Sequence, residues 1–291
     1  MAPSNAKKQA ALGIIAGGGP LPAIVAEAAV AKGEAVFIVG IKGWSDPEIE
    51  QYPHAWVRYG AMGKTIQVLH QAGCRDLVMI GPLNRPTIFN FRPDLTILRS
   101  LIHVLGLLRR GDDGLLSGAV QYFEETHGFH VRPAEEVAAE LVAPIGILTE
   151  RKPSENDKVD IRAAIKIVRE RGARDLGQGA IASDGQVLDV EDESGTDAML
   201  SRVAQSRRQT GRRGVLVKLP KPGQERRVDL PTLGITTIEN AAAAGLAGVA
   251  YEASGALIAD VEGVSRRADE LGLFVIGLPP GTGEGTAEET G

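Results

Sequence analysis

The sequence predicts an α/β protein of two domains, a Rossmann-like parallel sheet followed by a C-terminal α/β domain. The first third alternates short, continuously apolar strands with helical stretches, as in parallel sheets covered on both faces. The alternation resumes after residues 144–158, a polar stretch without periodicity. The length of 291 residues allows two domains that each bury a core.

Each element of the first domain is predicted from an apolar run or a helical period that ends at a turn residue. The helices over 21–32 and 63–72 are closed by Gly33 and Gly73, since glycine favours the end of a helix. The predicted strands are 12–16, 35–39, 76–80 and 130–132, and two further helices are predicted over 93–109 and 112–126.

The second domain also alternates helices and strands. The dipeptide Asp184-Gly185 lies between two short apolar runs and predicts a β-hairpin. The predicted strands are 180–182, 187–190, 215–217, short strands within 249–260, and 274–276; the predicted helices are 158–171, 195–205, 238–245 and 262–271.

These elements divide the chain into five segments. We expect residues 1–10 to be a flexible tail, since their composition is not that of a signal peptide. The N-terminal domain is predicted over 11–143, a linker over 144–158 and the C-terminal domain over 159–280. Residues 281–291, rich in glycine, threonine and glutamate, are expected to be disordered.

Composition excludes several classes of function. The net charge of -5 argues against non-specific nucleic-acid binding, and aromatic residues make up only 4%, which argues against base-stacking platforms. Cys74 is the only cysteine, so the chain has neither an internal disulfide nor a cysteine zinc cluster, and a reducing cytoplasm suits it. No apolar run reaches the roughly 18 residues of a transmembrane helix.

The first candidate site is a glycine loop, AGGGPLP at residues 16–22, between a strand and a helix. Bare backbone at Gly17, Gly18 and Gly19 would let amide groups approach a phosphate, and the helix that starts near Leu21 adds a favourable dipole. We therefore expect these glycines and Leu21 to contact an anionic substrate. The loop is not the dinucleotide fingerprint, because a third spaced glycine and an acid at the end of the second strand are both missing. A tight strand-to-helix turn is the alternative.

The second candidate site is the charged segment 218–234, KLPKPGQERRVDLPTLG, which follows an apolar strand. Its cations suit phosphate, while the carboxylates of Glu225 and Asp229 are hard oxygen ligands for a divalent metal. Packing alone explains neither these paired charges nor a glutamine in the same loop. We therefore predict that the segment binds and acts on a phosphate-rich ligand; the residues concerned are Lys218, Lys221, Gln224, Glu225, Arg227 and Asp229.

Other polar residues lie at predicted strand and helix ends. Asn84 and Arg85 follow the third strand, where a doubly wound sheet places its ligand crevice; a proline-stiffened loop is the alternative. Gln178 lies in a turn that could surround a ligand. Thr196 and Asp197 either cap a helix or contact a ligand. One of Asp112 and Asp113 either caps a helix or takes part in metal binding.

Four motifs taken together resemble the LpxI family of UDP-2,3-diacylglucosamine pyrophosphatases. They are LGIIAGGGPLP at 12–22, GDDGLL at 111–116, GTDAML at 195–200 and KPGQERRVDLPTLG at 221–234. They occur in the family's order, and the resemblance runs from about residue 11 to residue 279. Glu225 departs from the family pattern, in which aspartate is expected, but it keeps the charge.

The resemblance implies a cytoplasmic Mg²⁺-dependent enzyme of lipid A synthesis, with two domains around a deep substrate cleft and a homodimeric assembly. It would hydrolyse UDP-2,3-diacylglucosamine to 2,3-diacylglucosamine 1-phosphate (lipid X) and UMP, with peripheral contact to the inner membrane that carries these lipids. Asp229 becomes the candidate for the catalytic or metal-binding carboxylate, with Glu225 and Gln224 as its neighbours.

Two other functions fit the predicted fold. One is an oxidoreductase that uses a nucleotide sugar or a dinucleotide, against which the incomplete fingerprint counts. The other is a non-catalytic protein that binds a phosphorylated metabolite. Against this alternative, a protein that only binds anions does not need the carboxylates of Glu225 and Asp229 among its cations.

Overall fold

A computed structural model describes residues 10–83, 111–172, 174, 176–206 and 213–282. The chain forms two compact units. The first consists of Met1–Ala139 together with Glu225–Asp229, and the second of Glu140–Gln224 together with Leu230–Gly291. Five residues of the charged segment thus belong to the first unit although they lie far along the chain.

The first unit is built on a five-stranded sheet in the order β3-β2-β1-β4-β5, with every pair parallel. Its central strands are apolar except for Asp76 and mostly buried, because helices cover a parallel sheet on both faces. The strands are β1 (Leu12–Ala16), β2 (Val36–Ile41), β3 (His54–Val57), β4 (Asp76–Ile80) and β5 (His130–Val131); the helices are α1 (Leu21–Ala31), α2 (Met62–Ala72), α3 (Gly111–Gln121) and α4 (Ala134–Val137). A 3₁₀ turn spans Pro47–Gln51 and a π-helical turn spans Tyr122–Thr126.

The second unit is built on a mixed six-stranded sheet in the order β6-β13-β11-β9-β7-β8. The strands β9, β11 and β13 run parallel to one another, whereas β6, β7 and β8 pair antiparallel with their neighbours. A separate parallel pair joins β10 to β12. The strands are β6 (Gly146–Ile147), β7 (Gly179–Ser183), β8 (Gln186–Val190), β9 (Val215–Lys218), β10 (Thr232–Leu233), β11 (Gly248–Glu252), β12 (Leu257–Ile258) and β13 (Phe274–Leu278); the helices are α5 (Glu155–Gly172), α6 (Gly195–Ser206), α7 (Ile235–Ala243) and α8 (Val261–Glu270).

Each unit has its own core. In the first, buried aliphatic and aromatic side chains from the sheet, from α2 and from the π-helical turn pack together, and Val228 of the charged segment packs against them. In the second, the sheet is buried on both faces. One face packs against α6, α7 and α8, and the other against α5. The prediction of an α/β protein with a parallel N-terminal sheet and a second α/β domain is therefore confirmed.

Several details differ from the predictions. The strand β3 was not predicted, because the sequence HAWV carries polar and half-buried residues rather than a continuous apolar run. Residues 144–158, predicted as a linker, contain β6 and the first turn of α5, both in the second unit. The compact units divide between Ala139 and Glu140 rather than at 143/144. The predicted helix over 93–109 lies outside the described residues, and the implied cleft stays a prediction.

None of the helices in the described part of the chain is long and apolar enough to cross a membrane.

Candidate active site

The predicted site residues fall into two groups, one in each unit. The first unit contains Gly17, Gly18, Gly19, Leu21, Glu225, Arg227 and Asp229; the second contains Gln178, Thr196, Asp197, Lys218, Lys221 and Gln224. Asn84 and Arg85 lie outside the described residues, and the side chains of Asp112 and Asp113 are not described either.

The glycine loop of the first unit lies directly against the backbone that follows β4. A Cβ atom on Gly17 would stand 2.2 Å from the carbonyl oxygen of Gly81, and a Cβ atom on Gly18 would stand 2.9 Å from the carbonyl oxygen of Trp44. Such distances exclude any side chain unless the backbone moves. These glycines are therefore required by close packing of three loops, those after β1, β2 and β4, at the carboxyl end of the sheet.

The amide groups of this loop already have acceptors within the protein. The N–H of Gly17 donates to the carbonyl of Ile80 at 2.8 Å, and the N–H of Gly18 to that of Pro82 at 3.0 Å. The N–H of Gly19 donates to the carboxylate of Asp46 at 2.7 Å. The expected cradle of free amides at the three glycines is therefore not present in this arrangement.

The structure also differs from two other predictions about the glycine loop. The second strand extends to Ile41, and the loop that follows it supplies Asp46, so an acid does reach the glycine loop after this strand. That carboxylate is engaged by the Gly19 amide. Leu21, predicted to contact the substrate, is 6% exposed and begins α1 as part of the core.

Residues 225–229 form a compact turn in the first unit. The N–H groups of Val228 and Asp229 both donate to the carbonyl of Glu225 at 3.1 Å. The side chain of Val228 packs against the first core, which anchors the turn. The turn thus fixes Asp229 relative to Glu225 through the backbone.

Arg227 holds the carboxylate of Glu225 with two parallel hydrogen bonds. Its Nε donates to Oε1 at 2.8 Å and its Nη2 donates to Oε2 at 2.9 Å. This charge-assisted pairing lowers the pKa of Glu225 below its ordinary value and raises the pKa of Arg227. Arg227, predicted to bind substrate, is in this structure committed to protein carboxylates, and both oxygens of Glu225 are occupied.

Asp229 differs from Glu225 in having no such partner. Its carboxylate receives no hydrogen bond and joins no ion pair from any residue that the structure describes. The side chain is half-buried. A partly shielded carboxylate with no partner among the described residues can accept a proton, bind a cation or orient a water molecule.

The second group is centred on Lys218, at the carboxyl end of β9. Lys218 is 6% exposed, and its ammonium donates to the carbonyl of Thr232 at 2.9 Å. Burial lowers the pKa of Lys218, and the charges of Glu191 and Asp197 oppose that effect. An ammonium has three N–H donors, and within the described residues it has no further hydrogen-bond partner.

Glu191 is a residue of this group that the sequence did not single out. It is 7% exposed, and its Oε1 accepts the hydroxyl of Thr196 at 2.6 Å while its Oε2 accepts the N–H of Gln178 at 3.3 Å. Glu191 thus joins two predicted site residues beside Lys218. The available signal for Glu191 was its position directly after β8, at the start of an acidic run whose other members, Asp192 and Glu193, are exposed.

Gln224 and Asp197 also have defined partners in the second unit. Gln224 is 6% exposed; its Oε1 accepts the N–H of Lys221 at 2.8 Å, and its Nε2 donates to Gln178 at 3.4 Å. Asp197 accepts a hydrogen bond from Asn240 at 2.9 Å. Gln224, predicted beside the catalytic carboxylate, therefore closes the loop that carries Lys221.

The fit of a divalent metal differs between the two predicted ligands. No group of three or more histidine, cysteine, aspartate or glutamate side chains that could hold a metal occurs in the described ranges. Mg²⁺ in phosphate-transfer sites commonly uses one or two protein carboxylates, with water and phosphate oxygens as its other ligands. Asp229 fits that role. Glu225 does not, because Arg227 occupies both of its oxygens.

Comparison with known proteins covers nearly the whole described chain. Residues 11–141 match the family model of the LpxI N-terminal domain, and residues 144–276 match that of the LpxI C-terminal domain. The chain is 43% identical over 274 residues to a protein of Caulobacter vibrioides named UDP-2,3-diacylglucosamine pyrophosphatase LpxI. That similarity covers 92% of this chain and 98% of the relative.

Proposed function

This chain belongs to the LpxI family, and from that premise we propose that it hydrolyses the pyrophosphate bond of UDP-2,3-diacylglucosamine. The products would be 2,3-diacylglucosamine 1-phosphate and UMP. The observation that carries the proposal is the 43% identity to the Caulobacter vibrioides pyrophosphatase, which extends over both family domains. The match covers 98% of the relative's length.

The chemistry of the reaction makes defined demands. A water molecule attacks one phosphorus, a new P–O bond forms, and the bridging P–O bond breaks with its electron pair on the departing phosphate. Most of the rate enhancement in such reactions comes from positioning and from neutralising charge on phosphate oxygens. The enzyme must therefore supply cations, hydrogen-bond donors and a group that handles water.

In the turn at 225–229 of the first unit, the Asp229 carboxylate has no partner among the described residues. It either binds a metal ion or orients the attacking water. A Mg²⁺ ion held by Asp229 would neutralise phosphate charge. Glu225 and Arg227 do not take part directly, because each is occupied by the other.

In the second unit, Lys218 supplies a buried positive charge with donors beyond the one used by Thr232. A cation in a poorly solvated environment attracts an anion more strongly than one in water. Glu191 and Gln178 neighbour this lysine and limit where a ligand atom can lie. We assign this group to substrate binding.

The proposal extends to location and assembly. The substrate carries two acyl chains, so its source is a membrane, and the protein would contact the cytoplasmic face of the inner membrane peripherally. We also propose a homodimer, as the family resemblance implies. Sedimentation with and without vesicles that contain the substrate would test both statements.

The hydrolysis itself is tested with purified protein and UDP-2,3-diacylglucosamine in ¹⁸O-labelled water, with Mg²⁺ or with EDTA. We expect UMP and 2,3-diacylglucosamine 1-phosphate in equal amounts with Mg²⁺ and little product with EDTA. Label in the lipid product identifies the sugar-side phosphorus as the one attacked, and label in UMP identifies the other. Absence of product under conditions in which the Caulobacter vibrioides relative is active would overturn the proposal.

A further inference from the structure

Arg227 connects the turn at 225–229 to a distant part of the first unit. Four of its five N–H donors are used. Two bind Glu225, and those of Nη1 reach Oε1 of Glu124 at 2.9 Å and the carbonyl of Val131 at 3.4 Å. Glu124 lies 103 positions away in the chain. The guanidinium therefore bridges two carboxylates, one in the turn and one in the sheet-bearing body of the unit.

Glu124 is itself held firmly. Its Oε1 also accepts the N–H of Val131 at 3.0 Å, and its backbone carbonyl accepts the N–H of Gly128 at 3.1 Å. It lies in the π-helical turn Tyr122–Thr126, beside Phe123, which is 2% exposed in the first core. Single π-helical turns are rare and occur often at functional sites. Here the turn contains Glu124, whose carboxylate accepts a hydrogen bond from Arg227.

Hydrogen bonds through Glu225 connect Arg227 to Asp229. Arg227 fixes the carboxylate of Glu225, and the backbone carbonyl of the same Glu225 accepts the N–H of Asp229 at 3.1 Å. The side chains of Glu124, Arg227 and Glu225 thus hold the turn, while the Asp229 carboxylate has no partner among the described residues.

We propose that Glu124 is a positioning residue of the hydrolysis and that it orients Asp229 through Arg227 and Glu225. The inference rests on the proposed function, since it concerns the same reaction. Glu124 does not contact the substrate. Its carboxylate compensates the charge of Arg227 and keeps the guanidinium in the plane that grips Glu225.

The test compares Glu124→Gln with Glu125→Gln in the full-length protein. Glu125 is the adjacent residue in the same turn, and it is exposed and hydrogen-bonded to Gln121. We expect Glu124→Gln to lower kcat by roughly 10- to 100-fold, as for residues that orient a catalytic group, with KM changed by no more than about twofold. Glu125→Gln should keep wild-type kcat. Rates are expressed per folded protein, measured by circular dichroism.

A double-mutant cycle separates positioning from a general loss of structure. If Glu124 acts through Arg227, then Arg227→Gln and the double variant should have the same kcat, because the second change removes nothing further. Independent multiplicative losses in kcat would overturn the inference, as would a Glu124→Gln variant as active as Glu125→Gln. A wild-type protein without turnover would instead refute the proposed function, so the two failures are distinguishable.

Discussion

Arg227 and Glu225, two residues apart in the chain, pair side by side through hydrogen bonds of 2.8 and 2.9 Å. This pair determines which carboxylate of the charged segment can bind a metal ion. A glutamate with both oxygens held by a guanidinium is a poor metal ligand, because binding a cation would require breaking two charge-assisted hydrogen bonds. The carboxylate of the neighbouring Asp229 is not held in this way by any residue in the described part of the chain.

Glu225→Gln should therefore leave the metal requirement unchanged. We expect the Mg²⁺ concentration for half-maximal activity to stay within about twofold of wild type. We expect kcat to fall about tenfold, because the hydrogen bonds between Arg227 and residue 225 that hold the turn become weaker. Metal titrations of the hydrolysis rate measure both quantities. A large increase in the Mg²⁺ requirement would make Glu225 a ligand. Glu48→Gln, at an exposed position of the first unit, is the matched control.

Asp229→Asn should abolish turnover without unfolding the protein. The carboxylate makes no hydrogen bond with any described residue, so its removal costs little stability. We expect kcat to fall on the order of 10³-fold or more, as when a catalytic group is removed. Thermal unfolding and substrate binding by calorimetry should stay near wild type. Turnover at the wild-type rate would remove Asp229 from the mechanism.

The fold was more predictable from the sequence than the site. The strands Leu12–Ala16 and Asp76–Ile80 were predicted with the bounds that the structure shows, because uninterrupted apolar runs bounded by glycine or by charge have few other interpretations. The strand His54–Val57 lacks that run and was missed. A strand at the edge of the sheet is half-exposed, so its composition resembles that of a loop.

The sequence singles out candidate site residues but does not show which side chains pair with them. The sequence identified Lys218, Glu225, Arg227 and Asp229 as a charged group. Which of these side chains is engaged in hydrogen bonds depends on residues that are distant in the chain. Glu124 lies 103 positions from Arg227, and no local pattern connects them. Glu191 was overlooked for the same reason, since its burial results from the sheet and not from its neighbours in the chain.

Gly17→Ala should destabilise the first unit through a backbone clash. The new Cβ would lie 2.2 Å from the carbonyl oxygen of Gly81 and 2.4 Å from its carbon, and neither atom can rotate away. We expect a loss of about 1–3 kcal/mol in the free energy of unfolding by urea. Gly234→Ala is the control, because nothing lies within 4 Å of its Cβ position and its φ is -134°. An equal loss in both variants would show that the loop contact is not the cause.

Lys218→Met should change how stability depends on pH. Burial lowers the pKa of Lys218 in the folded protein below its ordinary 10.5, so between these two values the unfolded chain binds more protons than the folded one. The stability of the wild type relative to the variant should therefore rise as pH increases through the folded pKa toward 10.5. The measurement is the difference in urea-unfolding free energy from neutral pH upward, in which groups common to both proteins cancel. Lys166→Met, at an exposed position of α5, is the control for the loss of a lysine side chain. A difference for Lys218→Met that does not change with pH would mean that the ammonium is solvated in the folded protein.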